Sequence, residues 1–117
     1  MPPEVIQQFA DLGSGSGYFT RRFIEAVTET GMVYAVDVEP EMVAYARESV
    51  IHMHIAYTAE FILAQPNNPK LPYESVDLLF VCNTIHHLEN RSKYFSDLKS
   101  SLKPGARIAI IDFYPDE

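Results

Sequence analysis

The 117-residue chain is poor in cysteine and in basic residues: it has one cysteine, Cys82, and nine Lys and Arg against sixteen Asp and Glu. A single cysteine excludes an internal disulfide and a metal site built from several thiolates, so no metal site is predicted. The formal net charge is -7, and Lys and Arg are scattered along the chain. This charge pattern disfavours nonspecific nucleic-acid binding.

Long apolar runs are absent as well. The stretch from Val76 to Cys82 is interrupted by Asp77 and falls far below the roughly 20 residues that cross a bilayer. The first residues lack the basic stretch, apolar run and small-residue cleavage site of a signal peptide. The sequence therefore predicts no membrane span, and a cytoplasmic location is the default expectation.

The composition itself is that of an ordinary globular protein, with 47% apolar and 21% charged residues. A length of 117 residues leaves room for one hydrophobic core, so we predict a single domain over 1–117. Apolar stretches of strand length alternate with segments of helical period, the pattern of a parallel sheet covered by helices. The predicted strands are 5–12, 32–38, 60–64, 76–82 and 107–113.

Three segments between these strands carry helical patterns that we expect to face the sheet. Pro40 and Glu41 favour the start of the second helix, and Pro104 and Gly105 are predicted to stop the third. The segment 49–59 is ambiguous between a helix end with a turn and a short extra strand. The apolar helix positions are Phe19, Phe23, Ile24 and Val27, then Met42, Val43, Ala46 and Val50, then Tyr94, Phe95, Leu98 and Leu102.

A glycine-rich segment, 11–17, lies where the first strand ends and a helix begins. Glycines at such a place let the backbone turn sharply and approach a ligand closely. The spacing is G-x-G-x-G, and Tyr18 stands where a dinucleotide-binding motif would have its third glycine, which argues against hydride transfer. No Gly-Lys-Ser or Gly-Lys-Thr follows, so nucleoside triphosphates are disfavoured.

A second polar signal is Asp37, at the end of the second strand. In a parallel sheet it lies beside the end of the first strand, where a carboxylate can accept both hydroxyls of a ribose. An unpaired carboxylate there would be costly unless something satisfied it. Val38 is placed to pack on an adenine face and Met42 to close its other side, with plain core packing as the alternative for both.

These features resemble the class I S-adenosylmethionine-dependent methyltransferases, in particular the family that includes the ubiquinone and menaquinone biosynthesis methyltransferases. The resemblance covers most of the chain and rests on five segments in the family's order: 11–17, 36–42, 71–72, 83–88 and 102–106. It implies a Rossmann-like doubly wound α/β sheet of five parallel strands in the order 3-2-1-4-5. It also implies S-adenosylmethionine as cofactor and a small molecule as methyl acceptor.

The resemblance implies roles for the residues of the first two segments. Gly13, Gly15 and Gly17 would pass under the methionine part of the cofactor. Asp11 would fix the amino end of that methionine through a short network, and Asp37 would hold the ribose.

The segment after the fourth strand is implied to form the acceptor side. The backbone around Cys82 and Asn83 would border the methionine amino group and the methyl-transfer site. Because the transfer is an in-line displacement, holding the nucleophile in place is the main contribution of such an enzyme. His86 and His87 are candidates for the general base that some acceptors need, with structural histidines capping the strand as the alternative.

The chain departs from the family's pattern at Gln65, where many relatives have an aspartate that accepts a hydrogen bond from the adenine amino group. Gln65 can still accept, but Pro66, which follows it, has no N–H to donate. We therefore expect weakened cofactor affinity, or an adenine held by a shifted loop in which Asn67, Asn68 and Lys70 supply donors.

The chain also differs from the family in length. Family members carry a helix before the first strand and, after the fifth, a further helix with an antiparallel strand pair, which this sequence lacks. The fifth strand is then predicted to be an edge, with Ala109, Ile110 and Ile111 able to pair with another chain. We expect a homodimer through this edge. The alternative function is a non-catalytic or partner-completed cofactor-binding module without its own acceptor pocket.

Overall fold

The apolar stretches of the sequence form the strands of one sheet, and the helical patterns form its covering layers. The computed structural model describes residues 8–13, 17–27, 31–51, 58–65, 68–82 and 91–111. The elements, in chain order, are β1 (Gln8–Leu12), α1 (Tyr18–Ala26), β2 (Met32–Asp37), α2 (Pro40–Val50), β3 (Ala59–Leu63), β4 (Val76–Cys82), α3 (Arg91–Leu98), a 3-10 helix (Lys99–Ser101) and β5 (Leu102–Ile111).

The five strands lie in the order β3-β2-β1-β4-β5, and all four neighbouring pairs are parallel. The predicted α/β fold and strand order are therefore confirmed. After β3 the chain crosses back over β2 and β1 to form β4, so the direction of winding reverses between β1 and β4. In such sheets, ligands bind beyond the carboxyl ends of the strands at this reversal.

One face of the sheet is covered by α1 and α2. Its core is built from buried side chains of β1, β2, α1 and α2: Phe9, Val33, Ile24, Val27 and Val50. Aromatic rings extend this core towards β4, because Phe19 lies 4.9 Å from Phe80 between ring centroids and Phe23 stacks on Phe9 at 4.8 Å. These contacts pack α1 against β1 and β4.

The opposite face is covered by α3, whose Tyr94 and Leu98 pack against Leu79 and Val81 of β4 and the even-numbered residues of β1 and β2. The connection before β4 is joined to the 3-10 helix by backbone hydrogen bonds from the N–H of Glu74 to Ser100 O and from Ser75 to Ser101 O, both 2.8 Å. These bonds continue the β4–β5 pairing towards the amino end of the sheet.

The third helix ends earlier than predicted. It stops at Leu98, and Leu102, assigned to the helix in the sequence, is the first residue of β5. The cause is the hydrogen bonding of the 3-10 segment to the chain before β4, which draws residue 102 into register with Val76. Pro104 and Gly105 therefore lie within the strand, at an irregularity that proline tolerates on an edge strand.

Two other predicted details can be compared with the structure. In α2, Val43, Ala46 and Val50 are buried as expected, but Met42 is 38% exposed, so its placement against the sheet is wrong. The ambiguous segment leaves Ile51 exposed and resumes at β3 with Ala59, and residues 52–57 lie outside the described part. The predicted positions 5–7 of the first strand and 112–113 of the fifth lie outside it too.

The amino end of the sheet is closed by Asp77 of β4. Its Oδ2 accepts the N–H of Gln8 at 3.0 Å, and its Oδ1 lies 3.4 Å from the Lys103 ammonium. This carboxylate therefore serves the sheet rather than a ligand at the carboxyl end. Among the described residues, no helix has the length and apolar character needed to cross a membrane.

Candidate cofactor site

A small cavity of about 50 Å³ lies at the carboxyl ends of β1 and β2. It will be called the cleft. Its lining residues are Leu12, Gly13, Val36, Asp37, Val38, Ala64 and Tyr94. Of the residues predicted to bind a cofactor, the structure brings Gly13, Asp37 and Val38 together here. This is the strand-end position where a doubly wound sheet binds ligands.

The turn that leaves β1 begins with Gly13 at φ 77°, a left-handed conformation that glycine adopts without steric cost. The Gly13 N–H donates to Val36 O at 2.8 Å, which fixes the turn against β2. Because no side chain projects from Gly13, its backbone forms part of the cleft wall. Gly15, also predicted to lie under the methionine, is outside the described residues.

Gly17 closes the turn at φ 91° and caps α1. A Cβ at this position would lie 3.0 Å from Ser49 Oγ and 3.3 Å from the Ala46 Cβ, both on α2. The structure therefore gives Gly17 a packing reason that the sequence did not suggest: it lets α2 approach the start of α1. The turn is therefore fixed at both ends: Gly13 is hydrogen-bonded to β2, and Gly17 packs against α2.

Asp11 is buried at 1% exposure, and its Oδ2 accepts a 2.7 Å hydrogen bond from the hydroxyl of Thr20 on α1. Burial raises the pKa of Asp11 from 3.8 to about 6; the Thr20 hydrogen bond opposes this shift and the nearby charge of Asp37 adds to it. Thr20 was not among the predicted site residues. It lies four and seven residues before Ile24 and Val27, so its helical spacing could have marked it as a polar residue on the buried face.

Asp37 is the last residue of β2 and is half-buried. Its Oδ1 accepts the N–H of Glu39 at 3.0 Å, just before α2 begins, and its backbone oxygen accepts the N–H of Ala64 at 2.9 Å. The condition stated for this carboxylate is therefore met in part by a backbone donor, without any ligand. The case for a ribose contact rests on the place of Asp37 in the cleft instead.

Val38 and Met42 both leave apolar surface exposed, 44% and 38% respectively. Val38 lines the cleft directly, while Met42 is in the first turn of α2. Exposed apolar side chains at this position are suited to contact a flat ring. The predicted burial of Met42 is wrong, and its predicted contact with the adenine stays a prediction.

Gln65 is placed differently from the prediction. It pairs with Asn68 through two backbone hydrogen bonds of 3.0 Å, and the Asn68 Oδ1 accepts the N–H of Lys70 at 2.8 Å. The exposed Gln65 lines a separate cavity of about 440 Å³ between this turn and α3. The structure therefore does not bring Gln65 into the cleft with Asp37, and Pro66 and Asn67 are outside the described residues.

Tyr94 reaches the cleft from α3 and was not predicted as a site residue. It is 4% exposed, and burial raises its pKa to about 12, so the phenol is neutral at physiological pH. Its position on the apolar face of α3 does not distinguish it from an ordinary packing residue of a helix. Asn83, His86 and His87 lie outside the described residues, so their predicted roles stay predictions.

The described residues fit the adenosine part of S-adenosylmethionine. The cleft combines a glycine backbone wall, a carboxylate that can accept from ribose hydroxyls, and exposed apolar side chains beside it. The methionine part would lie against the glycine turn, residues 13–17, which links β1 to α1. Of this turn, the structure describes Gly13 and Gly17. Nothing in this donor set favours a phosphate, since the described lining residues of the cleft carry no positive charge.

Comparison with known proteins agrees with this site. Residues 10–110 match the methyltransferase domain family. The chain is 25% identical over 107 residues to the ubiquinone/menaquinone biosynthesis C-methyltransferase UbiE of Escherichia coli, covering 92% of this chain and 43% of that protein. It thus spans less than half of this curated relative.

Solved structures give the same result. A SAM-dependent methyltransferase from Aquifex aeolicus superposes with a TM-score of 0.87 at 36% identity, over 95% of this chain and 58% of that one. Phosphoethanolamine N-methyltransferase 2 of Haemonchus contortus, solved with phosphomonomethylethanolamine and S-adenosylhomocysteine, gives 0.78 at 27% identity, over 93% and 25%. Since the fold, the strand-end cleft and the family match agree, this chain belongs to the methyltransferase domain family, whose cofactor is S-adenosylmethionine.

Proposed function

We propose that this chain binds S-adenosylmethionine in the cleft and transfers its methyl group to a small-molecule acceptor. The observation that carries the proposal is the convergence of Gly13, Asp37 and Val38 on one cavity at the carboxyl ends of the neighbouring parallel strands β1 and β2. When bound, the cofactor supplies a methyl group on a sulfonium, which a nucleophile displaces in line. The protein's part is to hold the two reactants at the right distance and angle.

The predicted residues other than Gln65 each have a role in this proposal. Asp37 accepts hydrogen bonds from the ribose hydroxyls, while Val38 and Met42 contact the adenine. The glycine turn, with Gly13, Gly15 and Gly17, supports the methionine part, and Asp11 lies behind it. The two elements that hold this turn, β2 and α2, are the same ones that carry Asp37 and Met42.

The acceptor side of the proposal depends on the segment after β4. Asn83 would border the methyl-transfer site, and His86 or His87 would act as general base where the acceptor must lose a proton. Tyr18, 49% exposed in the first turn of α1, lies at the mouth of the glycine turn and is available to an acceptor. The UbiE and phosphoethanolamine enzymes methylate carbon and nitrogen respectively, so the acceptor atom is not carried over to this chain.

Isothermal titration with S-adenosylmethionine and S-adenosylhomocysteine tests the cofactor, and transfer of a labelled methyl group to a panel of small acceptors tests the reaction. We expect binding of both ligands, with Gln65 outside the cleft and therefore of little consequence. The matched variants are Asp37→Ala at the cleft and Asp77→Asn at the opposite end of the sheet. Equal loss of affinity in both would contradict the proposed site.

A second candidate, a cofactor-binding module completed by a partner, is favoured by the edge of the sheet. Ile108 and Ile110 of β5 are 48% and 50% exposed, and β5 pairs on one side with β4. We propose that a second copy of this chain covers this edge. Among the described strands, β5 has a partner on one side only, and a strand edge of this kind is a ready template for strand addition.

Light scattering of the purified chain over a range of concentrations tests this dimer. Ile108→Lys together with Ile110→Lys should give a monomer, while Ile51→Lys, which changes a more exposed isoleucine away from the sheet, should leave the dimer intact. A monomer at all concentrations in the unaltered chain would contradict the homodimer. The cytoplasmic location expected from the sequence stays a prediction.

A further inference from the structure

Thr20 and Asp11 form a polar pair inside the sheet face that α1 and α2 cover. The threonine hydroxyl donates a 2.7 Å hydrogen bond to Asp11 Oδ2, and the two residues are 0% and 1% exposed. Asp11 lies near the end of β1 and Thr20 in the first turn of α1, on opposite sides of the glycine turn. The hydrogen bond therefore ties strand to helix across the turn that forms the cleft wall.

The surroundings of Asp11 give its charge little other support among the described residues. Its register partners on β2 and β4, Ala35 and Phe80, are uncharged. The residues that α1 and α2 bury do not titrate; they are Thr20, Ile24, Val43, Ala46 and Val50. The titratable group that acts on Asp11 is Asp37, two residues beyond Ala35 on β2, and its like charge disfavours ionisation.

This arrangement sets the sign of the pH dependence. Burial raises the pKa of Asp11 from 3.8 to about 6, against the Thr20 hydrogen bond and with the charge of Asp37. The folded chain therefore keeps this proton to a higher pH than the unfolded chain does. The stability that protonated Asp11 contributes is complete below the lower value and is lost as the pH rises through about 6.

We propose that Thr20 is a positioning residue that holds Asp11 as an oriented carboxylate for the cationic amino end of the cofactor, so that cofactor binding is coupled to the loss of one proton from Asp11. The inference rests on the proposed function for the role of Asp11. A bound cation favours the ionised carboxylate, so the proton of Asp11 passes to solvent when the cofactor binds at acidic pH. The hydroxyl lowers the cost of this step because it donates to the charged oxygen.

The experiment uses the full chain and three single variants, Thr20→Val, Thr20→Ser and Asp11→Asn. Affinity for S-adenosylhomocysteine is measured between pH 5 and 8, with the folded fraction checked at each pH. The unaltered chain should bind more tightly as the pH rises through about 6. Thr20→Val, nearly isosteric but without the donor, should weaken binding at pH 7 about tenfold, as expected for a lost hydrogen bond to a charged group.

The other two variants separate positioning from packing. Thr20→Val should also move the rise in affinity to higher pH, and Thr20→Ser should return it towards the original value. Asp11→Asn should bind weakly at every pH and unfold less readily at pH 7, because it removes a buried charge. A merely structural role for the pair predicts no shift of the pH profile.

A second measurement does not depend on cofactor binding. The carboxyl carbon signal of Asp11, followed by NMR in the ligand-free chain, should titrate near pH 6 and at higher pH in Thr20→Val. If the unaltered chain binds neither ligand, the proposed function fails, while this titration still tests the pair. If the chain binds but Thr20→Val has the same pH profile, or the pH dependence survives in Asp11→Asn, the inference is overturned.

Discussion

The edge strand β5 and the carboxyl end of β1 reverse the usual relation between polarity and burial. Ile108 and Ile110 of β5 are about half exposed, although their register partners on β4, Leu79 and Val81, are fully buried on the same face. At the end of β1, by contrast, a carboxylate is buried at 1% exposure. In the described part of the chain, α3 packs over β4 and β1 and not over Ile108 and Ile110, which accounts for their exposure. Asp11 is buried because α1 packs against the end of β1, where Thr20 bonds to it.

The comparison identifies two places where the residue type is unfavourable for the stability of the fold. An apolar residue left in water and a carboxylate taken out of it both cost free energy relative to the opposite arrangement. Such conflicts between local residue type and environment are expected at functional positions. They coincide here with the proposed dimer edge and with the proposed cofactor cleft.

The largest expected effect compares the two members of one register pair. Leu79→Ala should destabilise the chain by about 2 to 5 kcal/mol, because it opens a cavity in a closed core, whereas Ile108→Ala should cost less than about 1 kcal/mol in the monomer. Urea denaturation at low protein concentration measures both. Equal losses at every concentration would contradict the exposed position of Ile108, and a loss for Ile108→Ala that grows with concentration would support the dimer.

A second comparison uses two glycines with positive φ. Gly17→Ala and Gly105→Ala share the left-handed backbone penalty of about 1 to 2 kcal/mol, at φ 91° and 81°. A Cβ meets Ser49 and Ala46 at Gly17 but nothing within 4 Å at Gly105. Gly17→Ala should therefore lose about 1 to 3 kcal/mol more, as overpacked positions do. Equal stability of the two variants in urea would show that α2 moves away without cost.

Much of the fold follows from the sequence because it depends on periodic burial. The strand cores, the order implied by the family motifs, and the buried positions Val43, Ala46 and Val50 all have this origin. Leu102 was misplaced because its pairing with Val76 depends on hydrogen bonds between segments distant in sequence. A local helical period carries no information about such contacts.

The candidate site was predictable to a different extent. Gly13, Asp37 and Val38 meet because the ends of adjacent parallel strands must meet, which sequence order alone implies. Thr20 and Tyr94 were missed because polar or aromatic residues on a buried helix face look like ordinary packing. Gln65 lines a neighbouring cavity because of its tight turn with Asn68, and its adenine contact stays a prediction.

The third prediction concerns affinity rather than stability. Asp37→Ala should weaken S-adenosylhomocysteine binding by about 1 to 3 kcal/mol, because two ribose hydroxyls lose their acceptor. Asp37→Asn is the control, since an amide oxygen can still accept the Glu39 N–H that the carboxylate accepts at 3.0 Å. In calorimetry, the affinity of Asp37→Asn for S-adenosylhomocysteine should lie between those of Asp37→Ala and the unaltered chain. If Asp37→Ala binds as tightly as the unaltered chain, the ribose lies elsewhere.

The smallest effect is expected at Met42. Met42→Ala should weaken cofactor binding by about 1 kcal/mol, because only part of an already half-exposed apolar side chain is covered by the adenine. Tyr45→Ala is the matched control: it lies on the same helix and is more exposed, at 59% against 38%, but it lines a different surface cavity. Neither change should alter the urea midpoint. A loss of affinity in Tyr45→Ala with none in Met42→Ala would move the adenine to the surface cavity that Tyr45 lines, and with it the assignment of the cleft.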